Sequence, residues 1–190
     1  MTIQDAAKRM IDALTSSGVP YMLVGSLSSS NYGIPRSTRD ADFVVESFPY
    51  PLEKLTGLLR PELVLDRQMS FETVTATTRY QFNLAGTVFK IELFSLNDDP
   101  HDRERFGRRI QRTVFDRPVW LPTAEDVIIT KLRWSKQGKR SKDIEDVRNV
   151  IAVQGNKLDF DYVLRWCEEH GTRDLLNQIR QSIPTSLTKP

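Results

Sequence analysis

The chain has 190 residues, of which 39% are hydrophobic and 27% are charged, and this composition excludes a chain that is disordered throughout. Its net charge of +2 is too small to indicate nucleic-acid binding by itself. The apolar runs are too short to cross a bilayer, the N-terminus lacks the pattern of a signal peptide, and Cys167 has no second cysteine to pair with. We therefore predict a cytoplasmic protein with no membrane partner.

The first 121 residues are predicted to mix helices and strands. Thr2 and Asp5 have capping-box spacing before apolar residues at helical intervals, so a first helix begins there and ends near Gly18. Period-two alternation between residues 64 and 95 predicts two or three antiparallel strands, with a turn at Ala85-Gly86. The other elements expected here are strands at 21–24, 40–45, 109–115 and 119–121, helices at 26–32 and 51–59, and a loop or short helix at 97–105.

The rest of the chain is predicted to be helical. Thr123 and Asp126 repeat the capping-box spacing, and apolar residues recur at helical intervals after them. This succession predicts an α+β fold, with an α/β core over 1–121, a C-terminal helical lobe over 122–184 and a tail over 185–190. The helices expected in the lobe are 123–134, 141–151, 160–169 and 172–183, with a loop at 136–140.

The segment from Gly25 to Asp42, GSLSSSNYGIPRSTRDAD, carries residues that point to chemistry. Glycine lets the backbone approach a ligand closely, and Ser26 with the free N–H groups of a helix start suits a phosphate. Asp40 and Asp42 alternate on a predicted strand, so both carboxylates lie on one face, about 6.6 Å apart along it. Because Mg²⁺ prefers carboxylates together with phosphate oxygens, the segment predicts neighbouring phosphate and divalent-cation sites.

Glu92 is the candidate for a third acid. It lies between Ile91 and Leu93 in an apolar strand, where a charged residue needs a reason. One interpretation is a metal ligand, or a general base that takes a proton from a hydroxyl nucleophile. The alternative is a solvent-facing strand residue paired with Lys90.

The order of these motifs carries a family resemblance. Gly-Ser, a spacer, Asp-x-Asp and a later acid resemble the signature of the nucleotidyltransferase superfamily, which has the DNA-polymerase-β-like fold. Within it, roughly residues 21–151 are most similar to the AbiEii-type toxins of type IV toxin–antitoxin systems. The three matching motifs are Arg36-x-Thr38-x-Asp40-x-Asp42, Glu125-Asp126 followed by Lys131, and Arg140-x-Lys142-Asp143-x-x-Asp146.

The resemblance implies a nucleotidyltransferase-fold mixed β-sheet core with flanking helices, and transfer of an NMP from an NTP to a hydroxyl acceptor with release of pyrophosphate. It implies that Asp40, Asp42 and Glu92 hold two Mg²⁺ ions, replaceable by Mn²⁺, although Asp is more usual than Glu in the third position. Lys131 would contact the phosphates as a catalytic residue, and Asp146 would orient Lys131 or the acceptor. The residues implied in nucleotide binding are Gly25, Ser26, Arg36, Thr38, Lys131, Arg140 and Lys142.

The resemblance also indicates partners. A toxin-like enzyme would have RNA, such as tRNA, or a protein as its acceptor, and a cognate antitoxin as its partner. The basic stretches at 103–117 and 131–142 fit an RNA-contacting surface and ordinary solvated charge equally well. Three other readings stay open: a small-molecule, antibiotic-type nucleotidyltransferase, an antitoxin-like enzyme that modifies a toxin, and a nucleotide-binding module without catalysis.

Overall fold

The computed structural model describes residues 1–46, 52–74, 76–138 and 141–184, and it leaves the side chains of residues 137 and 138 undescribed. It confirms an α+β fold with a mixed sheet. The chain divides into two compact units. We call residues 1–25 with 37–121 the sheet unit, and residues 26–36 with 122–190 the helical unit.

Helices and strands are mixed up to Leu121, and only helices follow. The helices are α1 (Ile3–Ser16), α2 (Gly25–Tyr32), α3 (Leu52–Leu59), α4 (Pro100–Gly107), α5 (Ala124–Gly138), α6 (Ser141–Gln154), α7 (Phe160–Glu169) and α8 (Arg173–Gln181), with a 3₁₀ turn at Gly155–Lys157. The strands are β1 (Tyr21–Val24), β2 (Asp40–Val45), β3 (Leu63–Leu65), β4 (Ser70–Glu72), β5 (Thr77–Leu84), β6 (Lys90–Ser95), β7 (Ile110–Val114) and β8 (Arg117–Leu121).

The main sheet is mixed, in the order β1-β2-β6-β5-β3, and β4 also pairs with β5. β2 and β6 run parallel, whereas the other pairs are antiparallel. A parallel pair needs a long connection, and here the chain between the two strands contains α3 and β3 to β5. The parallel register places Asp42 opposite Glu92 and Asp40 opposite Lys90. Two strands distant in sequence thus bring the candidate acids together.

The core of the sheet unit lies on one face of this sheet. The large side chains Phe43, Phe82, Ile91 and Leu93 are fully buried, and α1 contacts β2 and β6 there. The predicted capping box of α1 is confirmed, because the Thr2 hydroxyl accepts from the Asp5 N–H and the Asp5 carboxylate accepts from the Thr2 N–H. Because side chains alternate between faces, the acids of β2 and β6 project from the opposite face.

Two parts of the sheet unit differ from the sequence prediction. The 64–95 stretch contains four strands, not two or three, because the edge partner of β5 is divided into β3 and β4. The predicted edge strands near residue 115 form a separate hairpin of β7 and β8. Its turn consists of Phe115 and Asp116, both with positive φ, and the second strand already begins at Arg117. A two-residue turn of this kind matches the twist of the flanking strands.

The helical unit is built around α5, α6 and α7. Its buried side chains include Ile128, Leu132, Val147 and Val163. The expected loop at 136–140 is wrong for its first residues, because α5 continues to Gly138. Among the described residues, none of the helices combines the length and apolar character that a bilayer crossing requires.

The serine-rich helix α2 and the residue after it contact α6 at Ser29 and Gly33. Ser28 and Ser29 are buried, which explains why small side chains fill this weak helix. After the helix, Gly33 lies so close to α6 that an added Cβ would stand 3.0 Å from the Val150 nitrogen and 3.2 Å from the Asn149 Cβ. Small residues therefore fix α2 on α6, which carries Asp146.

Candidate active site

The first candidate cluster consists of three carboxylates in the sheet unit. Asp40, Asp42 and Glu92 each offer one oxygen, and these atoms all lie within 4.8 Å of one another. Glu92 is buried, while the two aspartates are partly exposed. The Thr38 hydroxyl donates a hydrogen bond to the Asp40 carboxylate. Thr38, predicted to bind nucleotide, therefore contacts and orients a member of the acidic cluster.

Gly25 makes room for the Asp42 carboxylate. Its φ is +66°, and an added Cβ would stand 2.0 Å from Asp42 Oδ2 and 2.9 Å from the carboxylate carbon. Real Cβ atoms do not come this close to another atom. A glycine is thus required both by the left-handed backbone and by the carboxylate packed against it.

Two cations hold Glu92. The Lys90 ammonium lies 2.9 Å from Glu92 Oε1, and the Arg79 guanidinium lies 3.0 Å from the same oxygen. Arg79 is itself fixed by a 2.9 Å hydrogen bond from Nε to the Ser70 hydroxyl. Sequence reasoning identified Lys90 as a candidate partner but missed Arg79. The antiparallel register of β5 and β6 sets that contact, and it depends on the length of the turn between them.

Amide side chains continue the polar face of the sheet. Gln81 stands opposite Glu92, and Asn83 stands opposite Lys90. Directly opposed residues point to the same face, so these amides share the face of the acids. Gln81 donates a 2.7 Å hydrogen bond to Asn83. This face therefore carries acids, cations and neutral amides.

The second candidate cluster, in the helical unit, centres on Asp146. Arg36 binds both of its oxygens, Nε to Oδ1 at 2.7 Å and Nη2 to Oδ2 at 2.9 Å. The Lys131 ammonium lies 2.8 Å from Oδ2. The Asp146 side chain is only 3% exposed. A buried carboxylate with these two cations links the first, second and third sequence motifs.

Further polar groups complete this cluster. Lys131 also donates to Asp143 Oδ1 at 2.8 Å, so both aspartates of α6 contact the lysine. The Ser29 hydroxyl donates to Asp146 Oδ2 at 3.2 Å, and Arg36 donates to the Ser26 hydroxyl at 2.7 Å. Ser26, Arg36, Lys131 and Asp146, all predicted site residues, thus form one network with Ser29.

The surroundings of Asp146 shift its acidity. Burial by itself raises the pKa of this carboxyl, but the hydrogen bonds and positive charges of Arg36 and Lys131 outweigh it and leave the pKa below the ordinary value for aspartate. Asp146 is therefore ionised at neutral pH and holds both cations in place.

Other residues of the sequence motifs have different surroundings. Lys142 lies exposed on the first turn of α6, and Arg140 lies outside the described residues. Asp126 accepts from the Tyr162 hydroxyl at 2.8 Å and from Thr123 at 2.9 Å. Glu125 accepts from the Asp159 N–H at 3.1 Å. The two acids before Lys131 therefore fasten helix ends and contact neither cluster in these bonds.

The donor set of the first cluster fits a divalent cation. All three groups are carboxylates, the hard oxygen ligands that Mg²⁺ and Mn²⁺ accept. Their oxygens converge, and the backbone at Gly25 is shaped around one of them. The second cluster contains two carboxylates, whereas three converge in the first, so the first is the candidate for a metal.

Comparison with known proteins identifies the fold. No protein-family model matches the chain, and no curated protein matches it. Among solved structures, ANT(2″)-Ia in complex with adenylyl-2″-tobramycin is 12% identical, with a TM-score of 0.61 over 92% of this chain and 99% of that one. The lincosamide antibiotic adenylyltransferase LnuA, lincomycin-bound, is 13% identical, with a TM-score of 0.53 over 79% and 97%. An antigenic nucleotidyltransferase-like protein from Paracoccidioides brasiliensis is 15% identical, with a TM-score of 0.54 over 95% and 93%.

These likenesses establish that the chain has the nucleotidyltransferase fold, as the motif order implied. The narrower resemblance to AbiEii-type toxins stays a prediction.

The contact between Gly25 and Asp42 predicts an unequal effect of two glycine substitutions. Gly25→Ala should destabilise the sheet unit by at least about 3 kcal/mol, because it adds the clash with the carboxylate to the cost of a left-handed alanine. Gly86→Ala is the matched control, since Gly86 has φ +71° and nothing within 4 Å of an added Cβ. It should cost about 1–2 kcal/mol. Urea unfolding followed by circular dichroism measures both, and equal losses would contradict the role of the contact.

The lowered pKa of Asp146 predicts a pH-dependent contribution to stability. An aspartate whose pKa is lower in the folded state stabilises the fold above the unfolded value of about 3.9 and loses this contribution as pH falls through the folded value. Asp146→Asn should lower the free energy of unfolding by about 3 kcal/mol at pH 7.

This deficit relative to wild type should shrink as the pH is lowered below about 4. Urea melts followed by tryptophan fluorescence measure it. Glu145→Gln, an exposed neighbour on the same helix, is the control and should change little. A deficit that is the same at pH 7 and at pH 3 would contradict the ionised role of Asp146.

Proposed function

We propose that this protein is a Mg²⁺-dependent nucleotidyltransferase that moves an NMP from an NTP to a hydroxyl acceptor. The observation that carries the proposal is the convergence of Asp40, Asp42 and Glu92 within 4.8 Å on two parallel strands of a nucleotidyltransferase fold. A bound divalent cation would neutralise phosphate charge and orient the reacting groups. Mn²⁺ suits the same oxygen ligands.

The chemistry needs few groups from the protein. The acceptor oxygen bonds to the α-phosphorus, the bond from this phosphorus to the oxygen that bridges to the β-phosphate breaks, and pyrophosphate leaves. The hydroxyl proton passes to a base, for which Glu92 is the candidate. Asp40 and Asp42 would hold the cation, and the work of the enzyme would be mainly positioning and charge neutralisation.

We assign the phosphate contacts to Lys131 and Arg36. Both are cations, and both are fixed by Asp146, which is thereby a positioning residue. The motif resemblance implies that Gly25, Ser26 and Thr38 contact the nucleotide. Lys142 adds an exposed positive charge. Lysine and arginine bind phosphate oxygens as a point charge and as a planar fork respectively.

The acceptor we favour is RNA, such as tRNA, with a protein as the second choice, in a toxin-like role with a cognate antitoxin. The support is the motif resemblance together with the polar face beside the acids, where Lys90, Arg79 and two amides present donors suited to phosphate and hydroxyl oxygens.

A small-molecule acceptor is the alternative that two similar structures support. Two of the similar structures, ANT(2″)-Ia with adenylyl-2″-tobramycin and LnuA with lincomycin, are antibiotic-modifying proteins. An antitoxin-like enzyme that modifies a toxin, and a nucleotide-binding module without catalysis, are the remaining candidates. All of these candidates share the fold, so they are distinguished by identifying the acceptor.

The proposal predicts label transfer that depends on both aspartates. The protein is incubated with Mg²⁺ and each α-labelled NTP in turn, together with total cellular RNA and protein extract, and the two pools are resolved separately. Asp40→Asn with Asp42→Asn should reduce labelling at least about 1,000-fold, because losing metal binding removes several kcal/mol of transition-state stabilisation. Asp98→Asn changes an acid whose side chain is 96% exposed and should leave labelling unchanged.

The labelled pool, RNA or protein, identifies the class of acceptor. Label in RNA or protein that survives the double substitution would refute the assignment of the carboxylates. When neither pool is labelled, the same reaction with aminoglycoside and lincosamide acceptors tests the small-molecule alternative, and its failure leaves the non-catalytic module.

A further inference from the structure

The negative charge of the Glu92 carboxylate is already paired with two cations. Both of its ion pairs use the same oxygen, Oε1, with Lys90 at 2.9 Å and Arg79 at 3.0 Å. The Glu92 side chain is 8% exposed, so water screens these interactions weakly. The two cations therefore neutralise the charge of the carboxylate that would otherwise be the third ligand of a divalent ion.

Both cations are held in place by the sheet. Lys90 stands opposite Asp40 in the parallel register and two residues before Glu92 on its own strand, so its stem rises on the face of the acids. Arg79 is anchored by the 2.9 Å hydrogen bond to Ser70 on β4. The Lys90 and Arg79 side chains are 35% and 32% exposed, which leaves their stems packed against the sheet. Their position follows from strand pairing.

The charge balance of the cluster decides how many divalent ions it attracts. The three carboxylates alone carry three negative charges, so one negative charge remains after one divalent ion has bound. With Lys90 and Arg79 included, one net negative charge remains. One divalent ion at Asp40 and Asp42 turns that into one net positive charge, so the protein groups by themselves would attract a second ion only in the absence of Lys90 and Arg79.

We infer that this site takes one divalent cation, held by Asp40 and Asp42, and that Lys90 and Arg79 supply at Glu92 the positive charge that a second ion would otherwise bring. The inference rests on the proposed function, since it concerns the same metal site, and it departs from the pair of ions implied by the family resemblance. Lys90 and Arg79 are positioning residues, because they act through Glu92.

A count of bound Mn²⁺ tests this directly. The full-length protein is titrated with Mn²⁺ while the EPR signal of the free ion is followed, first alone and then with the α,β-methylene analogue of each NTP, which cannot be cleaved between those phosphates. Wild type should saturate at one Mn²⁺ per chain in both conditions. Arg79→Gln with Lys90→Gln should saturate at two when the analogue is present and should show the exchange-coupled spectrum of a Mn²⁺ pair.

Two further variants separate charge from structure. Lys90→Arg keeps the positive charge and should keep the count of one. Lys54→Gln removes an exposed lysine from α3 and should also leave it at one. Circular dichroism checks that each variant is folded, and the count for wild type decides the question even where the double variant fails to fold.

The possible results test two separate claims, the inference and the proposed function. Two Mn²⁺ ions on wild type, or one on the folded double variant, would overturn the inference and leave the proposed function standing. No bound Mn²⁺ under either condition would overturn the metal site itself and the proposed function with it.

Discussion

The parallel pairing of β2 with β6 is the constraint on which the candidate site depends. Its register sets Asp42 opposite Glu92, so carboxylates fifty residues apart in sequence converge within 4.8 Å. A shift of β6 by one residue in this register would place Glu92 in the hydrophobic core and expose Ile91 or Leu93. The apolar face of β6 therefore fixes the position of its single acid. Packing in the core and chemistry on the polar face are two consequences of one register.

Both clusters are held by close packing of small residues. In the sheet unit, Gly25 leaves the space that the Asp42 carboxylate fills. In the helical unit, Ser29 and Gly33 let α2 lie against the backbone of α6, where Asp146 receives Arg36 and Lys131. Buried charges of this kind are stable only when each has a partner. Serine has a weak helix propensity, and the close approach of α6 accounts for the small residues of this segment.

Local sequence signals predicted most elements and the identity of the acids. The capping box of α1 and the helices of the second half follow from spacing alone. The pairing of Lys90 with Glu92 is one of two interpretations that the sequence allows; the ion pair forms, but the solvent-facing position expected with it is wrong, because Glu92 is buried. Arg79 was missed because its contact depends on the register of β5 and β6, and the connection between them runs from residue 85 to residue 89 instead of over the two residues of the expected turn. The end of α5 was misjudged because its last residues are polar, which predicts a loop as readily as an exposed helical turn.

The central claim is that Asp40 and Asp42 bind a divalent cation on a nucleotidyltransferase fold. The most direct measurement is the anomalous difference map of a crystal soaked in Mn²⁺, since it locates the ion without relying on a substrate. The account predicts a peak within about 2.5 Å of a carboxylate oxygen of each aspartate. A map in which these carboxylates are well ordered and carry no peak, at Mn²⁺ concentrations that saturate other metal sites, would contradict it.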